Sequence, residues 1–347
     1  MLTLPRRTAL LGSLFLLAFQ PAADKVEFRP AEGAELAKTF TMGGNFEVGD
    51  MTMVVDGQDM SGSIPLDAAS GEFKMGFEVA DTYVKTVDGR LVEFTREFVK
   101  STSEVDMGEQ SESEDNWMKL DGETVKFTWN AETKSYDAVY ADGEGDAEVL
   151  ENLKMNPELL DYRPLLPTKA VEKGDRWTVD PKSMGSALMF GLDFDSLALG
   201  EDIEDPQAAA MLEQLKPSFE KIMESFKTDC EYDGTRDVEG KQMGVIKLKI
   251  VADGSLDMTQ AIDELARGQI PEGMEFELTL NTAKIGMKMK GEGELLWDMA
   301  AGLPAGFTLT GDMEMNFELD AAVSAEGEEH SIEMNVEMMG KMDWTME

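Results

Sequence analysis

From Ser331 to Met346 the chain alternates. Ile332, Met334, Val336, Met338, Gly340, Met342, Trp344 and Met346 hold the even positions, polar residues hold the odd ones, and Met339 alone breaks the rule. A two-residue period sustained this far specifies a β-strand with one dry and one wet face, because successive side chains leave a strand on opposite sides. A helix would scatter the same residues around its axis. Two earlier stretches repeat the pattern. Phe307, Leu309, Gly311, Met313, Met315, Phe317 and Leu319 alternate with polar residues, and Ala283, Ile285, Met287, Met289, Gly291, Gly293, Leu295 and Trp297 alternate with mostly charged ones. Three strands therefore share one apolar face rich in methionine.

Elsewhere the commonest punctuation is Asp-Gly, in VVDGQD, TVDGRL, KLDGET, YADGEG, EYDGTR and VADGSL. The pair supplies the positive φ angles of a two-residue type I′ turn, so antiparallel hairpins are expected to dominate. With Asp88-Gly89 as a turn, Val87 pairs with Arg90, Tyr83 with Phe94 and Val79 with Phe98. The same register sets Asp81 opposite Arg96 as a cross-strand ion pair. Further hairpins are expected at Asp121-Gly122 and Glu239-Gly240, with strands over 36–64 and 124–140.

The middle of the chain changes character. Residues 146–161 read as one or two short helices with Asp146 as N-cap, and Lys173-Gly174-Asp175 reads as a tight turn. Asp205-Pro206 opens the clearest helix, a capping Asp with Pro at the first helical position. Its apolar stripe runs through Leu215, Phe219, Ile222, Met223 and Phe226, past Pro217, which should bend the helix or divide it. A shorter helix is expected near 258–268. The fold class is mainly β (α+β): long curved antiparallel sheets, half-barrel or sandwich-like, with a few helices on the apolar face. The chain divides into 1–23, a leader; 24–145, a β-meander; 146–227, a helical connector; and 228–347, a second antiparallel sheet.

The strand phases also permit a register. Pairing Trp297 with Phe307 and Leu319 with Ile332 would align Gly293, Gly311 and Gly340 in one row, a device for curving a long sheet or clearing space above it. A slip of two residues would keep every face and destroy the row.

Methionine thioethers are soft ligands for Cu(I), and MTM, MKM and MEM all occur. Here they interleave with Phe, Leu, Val and Trp at strand spacing, which suits a core or an adaptable cavity, and no metal or cofactor is expected. His330 and Cys230 are each the sole residue of their type, so a His-based triad, a zinc set and a Cys-His dyad are excluded. Cys230, in phase with Tyr232, reads as a small buried residue, and His330 as a surface residue near the loop SAEGEEH. Asp142, Glu144, Asp146 and Glu148 fail as a calcium loop, because Ala147 and Leu153 stand where the glycine and the bidentate glutamate belong. No catalytic residue is assigned.

The first 23 residues follow the plan of a secretory signal: Arg6-Arg7, an apolar run from Thr8 to Phe19, then small residues to Ala23. The run is too short to span a bilayer, and the Arg pair also permits a twin-arginine route. An extracytoplasmic protein, periplasmic or secreted, is expected. Loss of the two arginines takes the formal net charge from −39 to −41, a field that repels nucleic acid and anionic lipid.

The stretch LLPTKAVEKGDRW resembles exported bacterial proteins of unassigned function that carry a central Leu-Pro-x-Lys-x-Val-x-x-Gly-Asp-x-Trp signature, and GEGELLWDMAAG resembles a strand-turn element in their second half. At the level of fold, long curved strands with helices against one face are similar to the half-barrels of periplasmic lipoprotein carriers. Three functions follow. The first is non-enzymatic binding or carriage of a hydrophobic, lipid-like ligand, lined by Met287, Met289, Met313, Met315, Phe317, Met334, Met338 and Trp344, with the long helix and residues 186–200 as plug or lid. The second is a packed structural or interaction component of the cell envelope. A carboxylate-based hydrolase is third.

Overall fold

The alternating segments become very long strands. The computed structural model describes residues 23–63, 70–87, 90–107, 111–152, 158–188, 206–263, 276–325 and 328–347. Its strands are β1 (Ala34–Val55), β2 (Gln58–Asp59), β3 (Gly71–Val87), β4 (Arg90–Asp106), β5 (Ser111–Asp115), β6 (Thr124–Asn130), β7 (Ser135–Tyr140), β8 (Arg176–Val179), β9 (Lys227–Val238), β10 (Lys241–Asp257), β11 (Phe276–Asp298), β12 (Leu303–Ala325) and β13 (Glu328–Met346). They form one antiparallel sheet in the order β7-β6-β4-β3-β1-β13-β12-β11-β10-β9-β8, with β2 beside β1 and β5 beside β4. The sheet is unclosed, and its two halves join where β1 pairs with β13. The fold is mainly β, as the alternation requires.

Asp-Gly has four uses in this sheet. Asp56-Gly57, with φ of 53° and 74°, makes the expected two-residue turn, and Glu239-Gly240 does the same between β9 and β10. Asp88-Gly89 lies outside the described residues, but Val87 faces Arg90, Tyr83 faces Phe94 and Val79 faces Phe98 as the turn requires. Asp121-Gly122 is not a hairpin: β5 and β6 lie end to end along β4, and the turn only carries the chain between them. Asp233-Gly234 forms a bulge in β9, where Asp233 is skipped and Gly234 takes φ of 89°. Asp253-Gly254 sits within β10 in extended backbone, for a packing reason given below.

The glycine row is absent. Gly311 pairs with Met342 and Gly293 with Leu309, each two residues from the expected register, although Gly291 and Gly311 do face each other. The β11–β12 turn explains one slip. The Asp298 carboxylate accepts the N–H groups of Ala300 and Ala301, Gly302 closes onto the Asp298 carbonyl, and Trp297 consequently pairs with Pro304 instead of Phe307. At β12–β13, Ala325 pairs with Glu328, which fixes the other. All faces survive, because a slip of two preserves the pleat.

Among the described residues the sheet is accompanied by α1 (Ala147–Asn152), α2 (Pro181–Leu188) and α3 (Pro206–Ser225). The Asp146 carboxylate accepts the Glu148 N–H at the start of α1, and Asp142 likewise accepts the Glu144 N–H, so two acids of the failed calcium loop serve as backbone caps. Helix α2 begins with Asp180-Pro181, the same start signal as Asp205-Pro206, and the Asp180 carboxylate accepts the Ser183 N–H. Helix α3 runs unbroken through Pro217. Its Ile222 Cα would lie 3.3 Å from a Cβ on Gly254, so glycine at that place in β10 lets the helix backbone sit on the strand. A further helix starts at Thr259 and is described to Asp263; residues 264–268 of the expected segment and residues 189–200 of the proposed lid lie outside the described residues.

Both stretches that carry the resemblance hold residues 24–29. Val171 exchanges backbone hydrogen bonds with Asp24, Gly174 N–H reaches the Tyr232 carbonyl, and Trp177 Nε1 donates to the Leu165 carbonyl at 3.1 Å. In the second stretch Trp297, fully buried, donates to the Glu27 carbonyl, and Gly302 lies against Arg29. These residue types are there to hold backbone.

Candidate functional site

One face of the sheet is mainly apolar, broken in β1, β3 and β4 by the buried Lys38, Asp81 and Arg96, and its side chains meet in rows across the strands. At the closed end Ile246, Leu295, Phe307, Met346, Phe40 and Phe77 form a row in which every member is buried. Tyr162 from the connector stacks on Phe307 at 4.2 Å between ring centroids, and each such buried aromatic contributes about 1.5–3 kcal/mol. In the next row Trp344 pairs with Leu309 and donates its indole N–H to the Leu188 carbonyl of α2 at 3.3 Å. Trp344 therefore belongs to the packed core under α2.

Moving along the strands, the same face opens. Met289 pairs with Met313, and both are still buried, at 3% and 8% exposure. One row on, Met287, Met315 and Met338 line up across three strands with Val48 of β1, and all four are half-buried. Beyond them lie Ile285, Phe317, Val336 and Met51, then Leu319, Met334 and Met53, again half-buried. The structure thus brings Met287, Met315, Phe317, Met334 and Met338 onto one half-open surface, with Met289 and Met313 at its closed margin and Trp344 inside the core. It adds Val48, Met51 and Met53 of β1, whose neighbours the sequence could not show, because β1 reaches β13 from the far end of the sequence.

A second constellation lies under the connector. Arg96 donates through Nε and Nη2 to the two carboxylate oxygens of Asp81, at 2.6 and 2.7 Å, so the expected cross-strand pair exists and is bidentate. It is also dry: Lys38, Asp81, Arg96 and Asp161 are each at most 1% exposed. Lys38 Nζ bridges Asp81 at 2.5 Å and Asp161 at 2.8 Å, and Tyr83 OH donates to Asp161 at 2.7 Å. Burial alone would push the Asp81 carboxyl up, but Arg96 and then Lys38 overcome it and hold the group down at about 2. Burial, with the Asp161 and Asp81 charges, raises the Tyr83 hydroxyl far above its ordinary value. Two cations and two carboxylates balance, and the geometry is that of a structural lock closed to substrate.

Two other residues singled out by the sequence can be placed. Cys230 is buried, and burial with the Asp229 charge pushes its thiol up to about 12. His330 is exposed, as expected, but it lies inside β13 and contacts Asp56 at 2.7 Å instead of belonging to the preceding turn. Among the described residues no cluster of His, Cys, Asp and Glu could hold a metal ion, and no helix is long and apolar enough to cross a membrane. On the charged face two adjoining concavities of about 700 and 840 Å³ share Lys249 and Glu292, and a third, of about 610 Å³, lies between Phe28, Arg163 and Asp180. None of these three is lined by the eight candidate residues.

The class defined by these features is a mainly β protein built on a single open antiparallel sheet. No family model and no curated protein matches the chain. Among solved structures, an outer membrane channel from Pseudomonas putida F1 is similar at 8% identity over 92% of this chain and 97% of its own, with a TM-score of 0.16. A mutant of the Rh. blastica porin is similar at 9% identity over 89% of this chain and 100% of its own, with a TM-score of 0.15. Likeness at that level carries no argument about fold or function.

Proposed function

We propose that this is an extracytoplasmic, non-enzymatic protein that binds a hydrophobic, lipid-like ligand on the methionine-rich half of its sheet. The observation that carries the reading is a fall in burial along rows that stay apolar while aromatic residues give way to methionine, from the closed Phe307 row to the half-open Met315 row. From Val48 to Val55 the open rows extend roughly 24 Å along the strands at ~3.4 Å per residue, and about 19 Å across β10 to β1 at ~4.8 Å per strand. The result, on the order of 450 Å², is within the range of functional apolar patches on monomers. It is about half of what a stable protein interface buries on each partner, which favours a ligand of acyl-chain dimensions over an envelope protein as the occupant. Unbranched, polarizable methionine side chains suit a surface that must adapt to such a ligand. The leader supports placement outside the cytoplasm. The resemblance to exported proteins and the analogy with lipoprotein-carrier half-barrels support the same reading.

The test is direct. Native mass spectrometry of the purified full chain, with solvent extraction of whatever it carries, should reveal bound lipid, and a fluorescent fatty probe should compete for the site. Changing the half-exposed row, Met287→Gln with Met315→Gln and Met338→Gln, should weaken probe binding at least tenfold while the melting temperature moves only a few degrees. Unchanged probe affinity in the triple variant, or no uptake by the native chain, would refute the proposal.

A further inference from the structure

We infer that the ligand's head group is uncharged, zwitterionic or cationic, and that anionic lipids with the same chains are rejected. This rests on the proposed hydrophobic site and specifies its substrate class. In the half-open rows from Val48 to Met334 every described side chain on the apolar face is uncharged, so no cation there can receive a phosphate or carboxylate. The lysines of the same strands, Lys284, Lys288 and Lys290, fall on the opposite phase and are exposed on the far side of the sheet. Among the described residues the basic group in phase at the outer end of the face is His330, and Asp56 holds it at 2.7 Å.

The borders are acidic as well. The turn beside His330 carries Asp56 and Asp59, Glu329 is exposed next to it, and α3 presents Glu220 and Glu224 to solvent along with Lys221. A head group leaving the apolar face at either margin meets mostly carboxylates, within a chain whose formal net charge is −39. Summed fields of this kind reach several kT at a protein surface, so one unit of negative charge on the ligand costs on the order of tenfold in affinity at low salt. The alternation that seats the chains thus also turns Lys284, Lys288 and Lys290 to the other face, while Lys38, in phase on β1, is buried in its pairing with Asp81 and Asp161.

The experiment compares three single-chain ligands of equal chain length, lysophosphatidylcholine, lysophosphatidylglycerol and the free fatty acid, by calorimetric titration into the delipidated full chain. At about 10 mM salt, where the Debye length is ~30 Å, the zwitterionic ligand should bind about tenfold or more tightly than either anionic one. At about 1 M salt, where that length is ~3 Å, the ratio should collapse toward one. Equal or tighter binding of the anionic ligands at low salt would overturn the head-group inference and leave the hydrophobic site standing. Binding of none of the three at either salt would overturn both.

Discussion

Lys38→Met should destabilise the protein by about 3–5 kcal/mol, because it leaves a buried carboxylate without its counter-ion. In the native lock Lys38 and Arg96 balance Asp81 and Asp161, all four at or near zero exposure. Removing Lys38 leaves one net negative charge in a dry site, and Asp161 then keeps only the Tyr83 hydroxyl among its described side-chain partners. Asp161→Asn alone errs the other way, leaving one net positive charge at similar cost. The double variant Lys38→Met/Asp161→Asn restores neutrality, retains the bidentate Arg96–Asp81 pair, and still offers Tyr83 an acceptor. It should therefore be more stable than either single variant, which requires a coupling energy larger than the about 3–5 kcal/mol cost of one single variant. At roughly 2 °C per kcal/mol for a chain this long, thermal unfolding followed by circular dichroism should place the single variants about 6–10 °C below the native protein and the double one between. Additive effects, with the double variant the least stable of the three, would refute the account of the lock as a balanced charge set. So would a Lys38→Met variant within about 1 kcal/mol of native.

The same lock predicts an acid limit. The Asp81 carboxyl is held down at about 2 in the folded state against an ordinary 3.8, so it favours folding above pH ~4 and that contribution, about 2–3 kcal/mol, is lost as the pH falls from ~4 toward 2; acid titrations of native and Lys38→Met protein should show this loss diminished in the variant. Gly254→Val should unseat α3, since its Cβ would meet the Ile222 backbone, at a cost of about 1–3 kcal/mol and with faster proteolysis within α3. Gly340→Ala should open the seam between β1 and β13, because the new Cβ would collide with the Asn45 carbonyl, and hydrogen exchange in both strands should rise together. Cys230, buried with its thiol pushed up to about 12, should resist alkylation at pH 8 in the native protein and react fully in denaturant.

What the sequence disclosed about this architecture was local. Alternation assigned the faces of β11, β12 and β13, and one turn placed Asp81 opposite Arg96 through two compensating irregularities near Val84. It could not show that Lys38 and Asp161 complete that pair, since they arrive from another strand and from the connector, 123 positions apart. Buried lysine and aspartate also look like surface residues to any reading based on polarity. The glycine row failed for a similar reason: strand register is set by the capped turn at Asp298 and the closing pair Ala325–Glu328, and both proposed registers were two residues out while every face stayed right. Asp180-Pro181 did announce α2, in the same terms as Asp205-Pro206, but the apolar stretch that follows obscured it. The methionine surface was legible as three strands and incomplete as a site, because its fourth wall is β1.

The seam between β1 and β13 carries a consequence for how the chain acquires its structure. Asn45 and Lys341, hydrogen-bonded neighbours there, are 296 positions apart, so β1 emerges during synthesis with one long flank awaiting a strand made only after β2 to β12. Until then the N-terminal meander and the C-terminal meander can each form, but each presents a raw edge where the other belongs, and unpaired edges of this length recruit strands from other chains. Contacts so distant in sequence close slowly. A chain halted before β13 would therefore behave as two adhesive half-sheets, and the negative charge along their exposed faces would oppose their pairing with strands of other chains.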